Sequence, residues 1–316
     1  MALQNFVDNT LPTIKAVFLN QVDAFVNTLF NASTTAAQAR TAIGATSTGT
    51  SLFTAADAVS ARAVLGSVAY SRVQGLIGNV NVSTPLTKYD ISADAVVAKD
   101  STGSCIVKVN TGALTNDFGL AGITANGRDQ VSAFSASSWV HLYFIMKVDG
   151  TIATISSLTA PPTGPTLPTG YTYWAYAGTL RWNSSSNIVA AYFRGNLVTY
   201  RQVIAVLTGG TATTETSINL STVVPPNALN INLQGRVLAS DASGPTINVV
   251  EFRLATTLTY FNIEQDSQVL SVGNYNDLIF SAPNISQNIF YLFTTKNGNT
   301  SSVSVSCHGF TIPNGG

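Results

Sequence analysis

The chain holds few side chains capable of chemistry. Its two histidines, His141 and His308, and two cysteines, Cys105 and Cys307, stand far apart. Neither histidine belongs to a His-x-x-x-His spacing and neither cysteine to a Cys-x-x-Cys spacing, so no metal site is expected. A Cys–His nucleophilic pair would need the two groups within hydrogen-bond reach, and nothing in the spacing brings them together. Cys307 lies in phase with Val303 and Val305, and Cys105 with Val107 and Val109, the pattern of small core residues on strands. His308 falls on the opposite, polar face with Ser302, Ser304 and Ser306 and is expected to meet solvent. Glycan cleavage would need two carboxylates at a set distance on a rigid surface. Glu251, Glu264 and Asp266 form the densest acidic set, and Asp90 and Asp94 stand four apart, which on a strand gives one face. Gly209-Gly210 lacks the Lys-Ser/Thr of a phosphate loop, and no helical pattern follows it. No cofactor is expected, and the chain reads as a non-enzyme.

Binding is the more credible use of its side chains. Tyr171, Tyr173, Trp174, Tyr176 and Trp182 crowd into a dozen residues. Aromatic faces beside amides suit sugar rings, through stacking and hydrogen bonds to hydroxyls. Strand alternation splits the set, with Tyr171 and Tyr173 on one face and Trp174 and Tyr176 on the other. The plainer alternative, sandwich core or contact between copies, carries more weight. The run Asn183 to Asn187 marks a hairpin tip, a better-exposed candidate.

Four regions must position these residues. In residues 1–30, Leu11, Ile14, Phe18, Val22, Phe25 and Leu29 recur at steps of three and four, one stripe of an α-helix. Pro12 suits the first helical position. A helix of about 19 residues is marginal alone in water, so the stripe needs a cover, either its own chain, sister chains or a different protein. Residues 31–69 carry a repeat: Gln38-Ala39-Arg40-Thr41-Ala42-Ile43-Gly44-Ala45 returns as Ser60-Ala61-Arg62-Ala63-Val64-Leu65-Gly66-Ser67. Each copy is a short Ala-rich helix ended by a capping glycine. Residues 70–202 alternate as strands, most clearly at Val140, Leu142, Phe144, Met146 and Val148, with Asp149-Gly150 as a two-residue turn. The run Ala160-Pro161-Pro162 to Pro168 is a rigid connector. Residues 203–316 show strands at Ile231, Leu233 and Val237 and at Val249, Phe252 and Leu254. Near the end, Lys296-Asn297-Gly298 signals a hairpin. Short strands without alternating helices predict a mainly β fold: an N-terminal α-helix and short helical repeats, then two β-sandwich-like domains.

Composition narrows the setting. Only 9% of residues are charged, against about 25% in a soluble domain, and net charge is zero. Clustered cations that track phosphates are missing, which argues against nucleic acid. The longest apolar run is too short for a bilayer span, and the first residues lack a signal peptide's basic start, so neither membrane insertion nor export is expected. A nearly uncharged surface of Ser, Thr, Asn and Gln is a poor colloid for a lone chain and suits burial in an assembly. Synthesis in a cytoplasm followed by work outside it fits a virion protein released by lysis.

The residues then resemble a family. Phe6-Val7-Asp8-Asn9-Thr10-Leu11-Pro12 followed by Phe18-Leu19-Asn20-Gln21-Val22-Asp23-Ala24 resembles the virion-attachment segment of podophage tail fibres and tailspikes. The Ala-Arg-x-x-Ile/Leu-Gly repeats resemble those of tail-fibre shafts. Trp139-Val140-His141-Leu142-Tyr143, Leu167-Pro168-Thr169-Gly170-Tyr171-Thr172 and Gly178-Thr179-Leu180-Arg181 are similar to a β-domain of phage fibre proteins. Val224-Pro225-Pro226-Asn227-Ala228 with Ile289-Phe290-Tyr291-Leu292 resembles a terminal domain of that class. The resemblance implies a homotrimer, located in the virion, that docks on phage tail proteins and touches a host-surface glycan. A head fibre or capsid decoration is the first alternative and a polysaccharide-degrading tailspike the second. The tailspike's parallel β-helix would show many regular stacked repeats, and none is seen.

Overall fold

The computed structural model describes residues 72–239, 246–255, 258–267, 274–295 and 301–313, together with Gln21, Val22 and Ala24. The chain divides into two units, Met1–Ala69 and Tyr70–Gly316. In the first unit Gln21, Val22 and Ala24 are helical, and Val22 is 40% exposed. The rest of the stripe, Leu11, Ile14, Phe18, Phe25 and Leu29, and both Ala-rich repeats lie outside the described residues.

The second unit is mainly β. Its described strands are, first, β1 (Arg72–Gln74), β2 (Ile77–Val80), β3 (Lys88–Ser92), β4 (Ala95–Lys99), β5 (Cys105–Val109), β6 (Leu114–Asp117) and β7 (Gly122–Ile123). There follow β8 (Gly127–Gln130), β9 (Ser138–Met146), β10 (Ile152–Ser157), β11 (Tyr173–Trp182), β12 (Ala191–Arg194), β13 (Leu197–Gly210) and β14 (Thr216–Asn219). The last are β15 (Asn230–Ala239), β16 (Thr246–Ala255), β17 (Leu258–Ser267), β18 (Asn274–Pro283), β19 (Asn288–Thr295) and β20 (Ser302–Thr311). Sheet I runs β1-β4-β11-β9-β10-β8-β7, with β5 also on β4; sheet II runs β18-β15-β20-β13-β12-β2-β3-β6; sheet III runs β14-β19-β16-β17.

Strand β9 shows how the core forms. Val140, Leu142, Phe144 and Met146 occupy one face, His141, Tyr143 and Ile145 the other, and every one is buried. The first face turns to sheet II. There β11 bulges between Tyr176 and Gly178, and a Cβ on Gly178 would stand 2.6 Å from the Phe193 ring, so a side chain would force the sheets apart. The second face is roofed by two irregular segments. Tyr143 donates its hydroxyl to Thr159 O at 2.6 Å, Trp139 Nε1 donates to Ser221 O at 3.1 Å, and Asn227 Nδ2 donates to the Tyr176 hydroxyl at 2.9 Å. The Pro-rich connector lays Gly164 on Trp174, where a Cβ would come within 2.5 Å of the indole. Burial on both faces is why the strand carries an almost unbroken apolar and aromatic run.

The expected boundary between residues 202 and 203 falls inside β13. That strand pairs with β12 on one side and with the C-terminal strand β20 on the other, from Leu197↔Thr311 onward. Two sandwich-like layers therefore share sheet II: sheet I covers its β12-β2 part through Phe193, and sheet III covers its β15-β18 part through Phe252 on Phe280, rings 5.6 Å apart.

Three expected turns take other forms. Asp149-Gly150 is not a two-residue loop: Gly150 N donates to Lys147 O, Lys147 N donates to Thr151 O, and Gly150 alone is left-handed at φ 84°. This is the longer loop built on an ordinary turn followed by a left-handed glycine. After Asn183 to Asn187 the chain makes one bridge, Trp182↔Ile188, and then crosses to sheet II. Residues 296–300 lie outside the described set, and the strands on either side do not pair as a hairpin: β19 joins sheet III and β20 joins sheet II.

Candidate functional site

Two open grooves on the unit grow from an irregularity in β13. Its pairing with β20 steps from Thr199↔Gly309 to Ile204↔Cys307, five residues along one strand against two along the other. Such bulges re-aim side chains. Tyr200 turns inward and donates its hydroxyl to Val223 O at 2.6 Å, while Arg201, Gln202 and Val203 are pushed out and exposed. Two grooves result, with Val203 as a wall of both. One, of about 640 Å³, is lined by Val189, Ala190 and residues 201–205. The other, of about 320 Å³, is lined by Val203, Gln234, Arg236, Ser304 and Ser306.

The second groove lies on the outer face of β13-β20-β15-β18. Register places Ile279 opposite Gln234, Gln234 opposite Ser306, and Ser306 opposite Ala205. The next row holds Asp277, Arg236 and Ser304. Arg236 grips Asp277 with Nε and Nη2 at 2.8 and 3.1 Å. His308 is half-buried instead of free in solvent, its Nε2 3.1 Å from Gln234 Oε1. Gly209 N donates to Ser304 Oγ at 3.3 Å. The inner face of the same strands is apolar, with Val303, Val305, Cys307, Leu233 and Val237 buried. The outer face thus offers hydroxyls, amides and one neutralised ion pair. Arg201 has no carboxylate within salt-bridge distance among the described residues.

Four of the five aromatic candidates are enclosed. Tyr173, Trp174, Tyr176 and Trp182 are buried, and only Tyr171 is partly exposed. Trp174 stands edge-on to Tyr143 at 5.5 Å with Lys99 Nζ 4.9 Å from its ring, and Tyr176 packs on Tyr143 and His141. A ring enclosed on both faces has none left for a ligand. Burial also raises the hydroxyl pKa of Tyr143, Tyr176 and Tyr200 well above the usual phenol range.

No acidic pair assembles for hydrolysis among the described side chains. Glu251 accepts from Arg253 Nε and Nη2 at 3.0 and 2.6 Å, and Glu215 accepts from Arg253 Nη1 at 3.2 Å. The side chains of Glu264 and Asp266 lie outside the described set; their backbones pair with Val249 and Ile247. Asp90 accepts from Asn81 Nδ2 and from Thr115 Oγ1, the latter at 2.6 Å, and Asp94 sits past the end of β3. Nor do three His, Cys, Asp or Glu side chains gather as a metal would require, among the described residues.

His141 and Cys307 are internal. The Thr179 hydroxyl donates to Val140 O at 3.1 Å and lies 2.8 Å from His141 Nδ1. The hydroxyl has one proton for these two acceptors, so when it is given to Val140 O the ring proton sits on Nδ1 and is donated to Thr179. Burial lowers the His141 pKa to about 4. Burial likewise pushes the Cys307 thiol up to about 12. Cys105 is buried as expected, but Val107 and Val109 on its strand are exposed.

No family model and no curated protein matches the chain. Among solved structures, it is similar to a chain of the infectious bursal disease virus VP2 subviral particle, at 9% identity over 78% of this chain and 76% of that one, TM-score 0.19. A chain of the T13 particle of the same virus gives 10% identity over 78% and 73%, also at TM-score 0.19. Likeness at that level carries no argument about fold or function.

The grooves escaped sequence reasoning, although one signal was present. Arg201-Gln202 sets two consecutive polar residues between Tyr200 and the apolar run 203–207 of a single strand, and such a polar pair fits a bulge.

Proposed function

We propose that the chain is a non-enzymatic structural subunit of a bacteriophage virion: a homotrimeric fibre joined to the tail through residues 1–30, whose β-unit meets a host-surface glycan. One observation carries this reading. The unit encloses His141, Cys307 and the phenols of Tyr143, Tyr176 and Tyr200, and leaves open a broad sheet face of hydroxyls and amides on which His308 is held by Gln234 and Asp277 by Arg236. Catalysis needs a titratable or nucleophilic group within reach of substrate. Assembly and adhesion need area and hydrogen bonds, which this face supplies.

With Trp174 and its neighbours enclosed, glycan contact rests on hydrogen bonding more than stacking. The groove beside Arg201 and Gln202 offers donors and an acceptor suited to sugar hydroxyls or a sugar carboxylate. The test is complementation in infected cells with a chain lacking residues 1–30. Purified particles should then lack the protein while particles carrying the full chain retain it, and the purified chain should release no reducing ends from host polysaccharide. Incorporation of the shortened chain would remove the anchor assignment; release of reducing ends would replace the structural reading with an enzymatic one.

A further inference from the structure

We infer that the outer face of β13-β20-β15-β18 is the surface through which copies of this chain bind one another, with Ile279 of one copy seated in the groove between Val203 and Ser306 of the next. The inference rests on the homotrimer of the proposed function and names the contact that builds it.

Three features of the face select a like copy as occupant. The first is charge. Among the described side chains of the face Arg236 and Asp277 form an ion pair, joined at 2.8 and 3.1 Å. A charged partner gains nothing from a neutralised pair, whereas a second copy meets no repulsion. The second is relief. Ile279 stands 65% exposed on the edge strand β18, and Val203 stands 51% exposed on the far side. Between them Ser304, Ser306 and Ala205 are small, so a backbone can approach closely over the groove of about 320 Å³. A ridge at one edge and a groove at the other fit copy to copy, reciprocally about a two-fold or head to tail around a ring, and the three-fold of the proposed function takes the second form. The third is area. Four strands spaced about 4.8 Å apart, each about ten residues of roughly 3.3 Å, span about 600 Å². A ring divides it between two neighbours, about 300 Å² from each copy at each contact against the ~800 Å² of a standard interface, so this face adds to other contacts in the trimer.

The full-length chain tests this by native mass spectrometry and sedimentation velocity. Wild type should run as a trimer. Ile279→Lys and Ser306→Lys should each weaken association about a hundredfold, since an ammonium would be buried without a partner. Val131→Lys, at an exposed residue between β8 and β9, should leave the trimer intact. A thermal melt of each variant checks the fold. Should a lysine variant melt early, a chain carrying Ile279→Cys and Ser306→Cys decides. These positions are two strand spacings apart, about 9.6 Å, beyond the roughly 7 Å Cα limit of a disulfide, so oxidation can link them only between copies. Covalent dimers and trimers under oxidation support the inference. A wild-type trimer that neither lysine nor cysteine chains affect would overturn the surface and leave the trimer standing, whereas a monomeric wild type would remove both. Protection of the 302–308 amides from hydrogen exchange in whole particles, but not in the free trimer, would give the face to another virion protein.

Discussion

His141 gives the fold a built-in acid sensitivity whose size can be worked out. Its ring is 3% exposed, enclosed by Tyr176 and held by Thr179, with no carboxylate among its hydrogen-bond partners. Burial alone lowers its pKa from 6.5 to about 4. The folded state therefore resists a proton that the unfolded chain accepts. Stability is full above pH 6.5, falls as the pH drops from 6.5 towards 4, and levels off below that. The interval of ~2.5 pH units is worth ~3.4 kcal/mol in total at about 1.36 kcal/mol per unit, of which about 2 kcal/mol is lost by pH 5. Urea unfolding followed by tryptophan fluorescence at pH 7 and pH 5 measures it, with His141→Gln as reference. The variant should be the weaker protein at pH 7, because ring packing is lost. Its margin below wild type should then shrink by about 2 kcal/mol at pH 5. Parallel pH slopes for the two proteins, or an imidazole resonance titrating near 6.5 in the folded state, would refute the reasoning.

Other expectations follow from packing. Gly178→Ala drives a methyl into the Phe193 ring and should cost about 1–3 kcal/mol, seen as a lowered calorimetric midpoint. Trp174→Ala should cost about 3–5 kcal/mol by opening a cavity beside Tyr143; loss of glycan binding with the melting temperature unchanged would instead restore it as a ligand platform. Cys307, fully enclosed and with its thiol held at about 12, should resist iodoacetamide at pH 8 in the folded protein and react once urea unfolds it, as read by peptide mass spectrometry.

Strand content was legible in the sequence because it is local. Alternation at Val140, Leu142, Phe144 and Met146, and at Val303, Val305 and Cys307, identifies strands with a buried face, and those residues are buried. Sheet membership was not legible, since it is decided by partners far along the chain. β19 and β20 look like the arms of a hairpin, yet β19 is claimed by β14 and β16, and β20 by β13 and β15. The expected boundary at 202/203 falls within one strand for the same reason: β13 looks like the start of something new only until β20 is known to return beside it.

The aromatic cluster shows why a second buried face is hard to foresee. Trp139, His141, Tyr143, Trp174 and Tyr176 have the composition of a part-polar, solvent-facing surface that could hold sugar. Trp139 leans on Phe310, but what roofs Tyr143, Trp174 and Tyr176 is Thr159, Gly164 and Asn227, small or polar residues from two irregular segments. No apolar signature marks a loop that covers a sheet by donating carbonyls and amides to Tyr and Trp polar tips. Such a roof satisfies the hydroxyl and indole groups that would otherwise demand water, which is how polar aromatics become core. The Ser-rich outer face of β20 has no such roof among the described residues: Ser304 and Ser306 are small and line an open groove.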